Sequence, residues 1–90
     1  MQTNENKQKI LNALANVTKQ LRGDKSQFLL SGENDISVSI LSTIERGMKD
    51  PQLTTIFKLA EALDMKPHEF IKLIEDSLPK DINLHLYQSF

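Results

Sequence analysis

Residues 26–51 read SQFLLSGENDISVSILSTIERGMKDP, and their spacing predicts a short helix, a tight turn, a second short helix and a looped exit. Ser26 is a good N-cap, because its hydroxyl accepts from a first-turn N–H that has no partner within the helix. Phe28, Leu29 and Leu30 follow on that helix. Gly32, Asn34 and Asp35 tolerate turn or left-handed backbone, so the helix is expected to end early, at Gly32. Ile36 then returns to the core. Ser37 is a second N-cap, and a helix from about Val38 to Arg46 turns Leu41 and Ile44 inward while Ser39, Ser42 and Thr43 fall on other sides. Gly47 ends it. Pro51 closes the loop, since a proline disfavours helix at the residue before it.

The flanks supply three more helices. In residues 5–22, Ile10, Leu14, Val17 and Leu21 recur at helical spacing, and Leu11 and Ala13 widen the stripe. Gly23-Asp24 is a plausible stop, with Arg22 in the last turn favoured by the helix dipole. Leu53, Ile56, Phe57, Leu59, Ala60 and Leu63 mark a fourth helix. Lys66-Pro67 opens a fifth with proline in its first turn, apolar at Phe70, Ile71, Ile74 and Leu78 and closed by Pro79. In the tail, Ile82, Leu84 and Leu86 alternate with Asn83, His85 and Tyr87, a strand-like period. The expectation is an all-α domain of five helices over residues 1–78, and a tail over 79–90 that adds a short C-terminal β-strand.

Composition narrows the function classes. Ninety residues allow one domain. The chain has no cysteine, which excludes disulfides, thiol chemistry and cysteine-ligated zinc. No apolar run approaches the roughly 20 residues that span a bilayer, and MQTNENKQK lacks the apolar segment of a signal peptide. His68 and His85 stand alone without a metal-ligand spacing. No nucleophile–base arrangement or glycine-rich phosphate loop emerges, so neither an enzyme, a metal nor a cofactor is expected. Net charge is −1; residues 1–50 carry seven Lys/Arg against six Asp/Glu, and residues 51–90 carry four against six. The first half is the more basic, but only slightly.

Ser26-Gln27, Leu30, Ile36-Ser37, Ile44-Glu45-Arg46-Gly47 and Pro51 fall at the spacing of a known pattern. Over residues 26–71 the chain resembles the phage repressor and Cro type (XRE) of helix-turn-helix transcriptional regulators. The resemblance implies a lambda-repressor-like DNA-binding domain whose helix-turn-helix proper covers 26–47. It implies a sequence-specific regulator, a repressor in the first reading, cytoplasmic and nucleoid-associated in a bacterial or phage setting. A homodimer would bind double-stranded DNA with one recognition helix per half-site. Residue by residue, Gln27 falls where the start of the second helix meets the DNA backbone. Val38, Ser39 and Thr43 fall at base-reading positions, with Ser42 beside them. Lys49 lies where a phosphate passes, and Arg46 is either a phosphate contact or a solvated charge. Ser37 is first an N-cap, and Ile40 is either a thymine-methyl contact or half-buried core. Glu45 matches a position that pairs with a helix-one arginine, for which Arg22 is the choice. Dimerisation is assigned to the fifth helix and the tail, through Phe70, Ile74, Ile82, Leu84 and Leu86.

Departures from the family carry information of their own. Lys25 stands where a leucine usually precedes Ser-Gln, and helix one does not align without an insertion or deletion. Phe28 and Leu29 replace residues that are usually polar, so they are expected to pack on an altered helix one or on a partner. The recognition helix has no Arg, Lys, Asn or Gln before Arg46. Those side chains make the bidentate base contacts, each worth roughly 1–3 kcal/mol of discrimination. What remains is hydroxyl bonding and thymine-methyl contact, with DNA shape and water doing more. A second reading is therefore a helical interaction module, an antitoxin or adaptor with weak or lost DNA binding, whose partner is a toxin or another regulator. Phe28, Leu29 and Tyr87 are its candidate surface.

Overall fold

The computed structural model describes the backbone of residues 2–80 and 82 and the side chains of residues 5–80 and 82. Five helices follow in order: α1 (Gln2–Arg22), α2 (Gln27–Glu33), α3 (Val38–Glu45), α4 (Leu53–Ala62) and α5 (Pro67–Asp76). The long α1 forms a spine that packs on α3 and α5, while α2 crosses α3 and α4 lies against α5. No strand occurs among the described residues.

The predicted caps form. Ser26 Oγ accepts from Leu29 N at 3.0 Å, and Ser37 Oγ accepts from Ile40 N at 3.1 Å. Gly23 and Gly47 both take positive φ, +60° and +69°, which turns the chain off the ends of α1 and α3 where a side chain is disfavoured. Pro67 is the first residue of α5, and Lys66 N donates to Glu69 Oε1 at 3.4 Å.

Two local expectations are corrected. Helix α2 does not stop at Gly32 but runs to Glu33, and Gly32 keeps helical backbone. The turn that follows needs no left-handed residue: Asn34 is extended (φ −138°, ψ 167°) and its Nδ2 donates to Leu30 O at 2.8 Å, closing the helix from outside. The left-handed non-glycine residue is Asp64, with φ 60°, between α4 and α5. A short polar side chain makes that conformation tolerable there.

The core is one cluster. Leu14 and Val17 of α1 meet Leu30, Ile36, Leu41, Ile44, Leu59, Ala60, Phe70 and Ile74. Leu41 and Ile44 turn fully inward, which fixes the opposite face of α3 outward. In α4 the burial falls on Ile56, Leu59 and Ala60, while Leu53 and Phe57 are exposed. After α5, Ile82 N donates to Pro79 O at 3.2 Å. The expected strand partners Leu84 and Leu86, with Tyr87 and His85, lie outside the described residues.

Candidate nucleic-acid interface

The face of α3 opposite its buried side carries Ser39, Ser42, Thr43 and Arg46, because Leu41 and Ile44 anchor the other side and successive residues turn by about 100°. Val38 and Ile40 flank it. Val38 is 39% exposed and Ser39 is exposed, while Ile40, Ser42 and Thr43 are half-buried. Ile40 joins the edge of the core, so it is part core and part rim. Polar groups on this face are partly committed within the protein. Thr43 Oγ1 donates to Ile40 O at 2.8 Å, and Arg46 Nε donates to Ser42 O at 3.3 Å. Ser37 Oγ serves its helix cap, as the sequence led us to expect.

A carboxylate locks the two short helices to α1. Glu45, nearly buried, takes Arg22 Nε on Oε2 and Arg22 Nη2 on Oε1, each at 2.7 Å, a bidentate pair. Gln27 Nε2 donates to Glu45 Oε1 at 2.9 Å, and Arg22 Nη1 donates to Lys25 O at 2.6 Å. Burial pushes the Glu45 carboxyl up. The hydrogen bonds from Arg22 and Gln27 and the charges of Arg22 and Lys19 together outweigh it and hold the carboxyl below its ordinary value. The Arg22 guanidinium is raised in turn, first by its hydrogen bond to Glu45. Arg22 is thus the helix-one partner. Gln27 is brought to the expected place at the start of α2, but its side-chain amide is engaged inside the protein.

Cations around this surface divide into two sets. Lys25 pairs with Glu33 at 2.6 Å and Lys58 with Asp35 at 3.1 Å, so acidic residues at the end of α2 and in the turn occupy both. Arg46 and Lys49 are exposed and in no ion pair with a described residue. Two residues of this region were missed in the sequence. Gln8 Nε2 donates to Gly47 O at 2.9 Å and to Asn12 Oδ1 at 2.9 Å, which ties α1 to the exit of α3. Polar residues on the outward side of an amphipathic helix give no signal of such a long-range contact.

The structure corrects part of the expected dimer face. Phe70 is 0% exposed within the protomer's own core, whereas Ile74, buried beside it, still lines the apolar groove at that end. Their spacing marked an apolar stripe, but not which neighbour covers it. The accessible apolar surface at that end is a groove of about 360 Å³, lined by Ile10, Leu14, Pro51, Ile56, Ile71 and Leu78 among others. Nor do Phe28 and Leu29 pack on α1: Phe28 is 79% exposed.

Residues 29–70 match the family model described as Helix-turn-helix. No curated protein and no solved structure matches the chain. The matched residues span α2 from its third residue, the turn, α3, α4 and the start of α5, so the family's defining unit coincides with the two crossed helices and their support. Residues 29–70 thus carry a helix-turn-helix of the DNA-binding phage repressor and Cro (XRE) type, and the five-helix all-α architecture is consistent with the lambda-repressor-like fold.

Proposed function

We propose that the protein is a sequence-specific transcriptional repressor that binds duplex DNA as a homodimer, one α3 per half-site. The observation that carries the reading is the outward face of α3, held rigidly by Leu41, Ile44 and the Glu45 clasp, with Arg46 and Lys49 beside it. In this reading Val38, Ser39, Ser42 and Thr43 meet base edges in the major groove. Arg46, Lys49 and the start of α2 at Gln27 meet phosphates, and Ser37 caps the reading helix. Two copies are needed because one protomer offers few uncommitted cations, and phosphate contacts add across a dimer. The second copy docks at the groove between α1 and α5, where Ile71 is exposed. Such a protein works at the chromosome, in the cytoplasm of a bacterium.

Selection of purified protein on random duplex DNA tests this. The expected result is a pair of half-sites about one helical turn apart, with affinity falling steeply with salt. Absence of binding at low salt would overturn it.

The exposure of Phe28 and Leu29 favours a second reading in parallel, a protein partner such as a toxin or another regulator docked on α2. A Phe28→Ser variant that keeps DNA affinity but loses a co-purifying partner would support it.

A further inference from the structure

We infer that α3 reads its half-site chiefly through thymine 5-methyl groups, with the side chain of Val38 and the methyl of Thr43 as the contacting atoms. This rests on the DNA-binding reading and specifies what that surface recognises. The outward face of α3 lacks every side chain that forms a bidentate pair with a base edge, apart from Arg46 at its C-terminal end. Arg46 is drawn back along the helix, with Nε on Ser42 O at 3.3 Å. Thr43 has already given its hydroxyl proton to Ile40 O at 2.8 Å, so toward a base it offers only an acceptor lone pair and a methyl group. Val38 offers only methyl groups, exposed at the first position of the helix. Ser39 and Ser42 are short, so nothing long holds the helix off the groove floor. A helix that approaches closely with methyl groups on its reading face is complementary to one major-groove feature above others. That feature is the thymine methyl, the apolar group that distinguishes T from C on the same edge.

The test uses the full-length protein and its selected duplex, with each thymine replaced in turn by deoxyuridine. Uracil keeps the O4 acceptor and the base pair and loses only the methyl. At one or two positions per half-site the wild type should bind about four-fold more weakly, the effect of withdrawing one buried methyl-sized group. Thr43→Ser keeps the hydroxyl and removes the methyl, so it should lose sensitivity to uracil at one of those positions and not the other. Val38→Ala should do the converse. Both variants are checked for unchanged helical content and melting temperature. If every uracil-substituted duplex binds within two-fold of the parent, methyl readout is overturned while DNA binding stands. If both variants keep the full uracil effect, the assignment to Val38 and Thr43 is overturned. If no duplex is bound at low salt, the DNA-binding reading itself falls.

Discussion

Gln27 Nε2 donates to Glu45 Oε1 at 2.9 Å, and that carboxylate also takes both prongs of the Arg22 guanidinium. The bond joins the first residue of α2 to the last residue of α3, and Arg22 joins both to the end of α1. The angle between the two short helices is therefore set by one carboxylate as well as by the apolar anchors. Neither helix is long enough to hold a geometry by itself: isolated helices below about 12–15 residues are marginal in water.

Removing that carboxylate has a calculable effect. Glu45→Ala should lower stability by about 2–3 kcal/mol. That is below the 3–5 kcal/mol of a fully buried broken pair, because the Arg22 side chain keeps 19% exposure and regains water. The pH dependence follows the same group. The folded carboxyl lies below its ordinary value of 4.5, so its contribution is complete above that pH and is lost as pH falls below it. Urea melts from pH 7 downward should show the wild type weakening below about pH 4.5 more steeply than the variant. Parallel acid limbs would mean that Glu45 is not the group responsible.

Gly47 combines two constraints, and both are testable. Its φ of +69° strains any side chain, and a Cβ there would come within 2.8 Å of Asn12 Oδ1. Gly47→Ala should cost about 1–3 kcal/mol, as expected of a substitution at a special backbone conformation. Adding Asn12→Ala should recover the steric part and leave the backbone part, so the two changes should be non-additive in a double-mutant cycle.

These two sites show what was legible in the sequence. Gly47 reads as the end of α3 from its type and position, and the pairing of Glu45 with a helix-one arginine, Arg22, is what the family resemblance implies. The five helices and the inward side of α3 followed from the spacing of Leu41, Ile44 and their neighbours, since periodicity reports which residues share a face. It does not report what covers that face. Phe70 therefore reads as a dimer surface although the protomer's own core buries it. The Gln8 contact with Gly47 and the diversion of Gln27 to Glu45 were invisible for a related reason. A long polar side chain has several partners within reach, and only the folded geometry selects one.

Buried polar atoms give a stabilising prediction. Thr18 is fully buried in α1, and its Oγ1 has no hydrogen-bond partner among the described residues. An unpaired buried hydroxyl costs about 1–3 kcal/mol, and an apolar group of the same shape removes that cost. Thr18→Val keeps the β-branch and nearly the volume. It should raise stability by about 1 kcal/mol, seen as a rise of about 4–8 °C in melting temperature for a domain of this size. A fall would show that the hydroxyl has a partner in solution.

Ile71 tests the dimer face without touching the core. It is 44% exposed on α5 and lines the groove with Ile10 and Leu78. Ile71→Lys should leave the melting temperature of the protomer nearly unchanged, since exposed substitutions usually stay within about 0.5 kcal/mol. It should convert a sedimenting dimer to monomer, and operator affinity should fall with it. A variant that remains dimeric would exclude the groove as the contact.

Salt dependence tests the assignment of the phosphate contacts. Lys25 and Lys58 are held by Glu33 and Asp35, whereas Arg46 and Lys49 beside the outward face of α3 are exposed and in no ion pair with a described residue. A dimer using both in each protomer neutralises four phosphates, and the slope of log K against log[salt] should be about −3.6. Lys49→Ala removes two of these contacts from the dimer, so the slope should shrink to about −1.8, while the preferred sequence stays the same. A wild-type slope twice as steep would show that Lys25 and Lys58 leave their carboxylates for the DNA. In that case Glu33→Gln and Asp35→Asn should tighten binding, because they release those lysines in advance. A slope unchanged by Lys49→Ala would take Lys49 out of the interface, leaving Arg46 and backbone N–H groups to carry it.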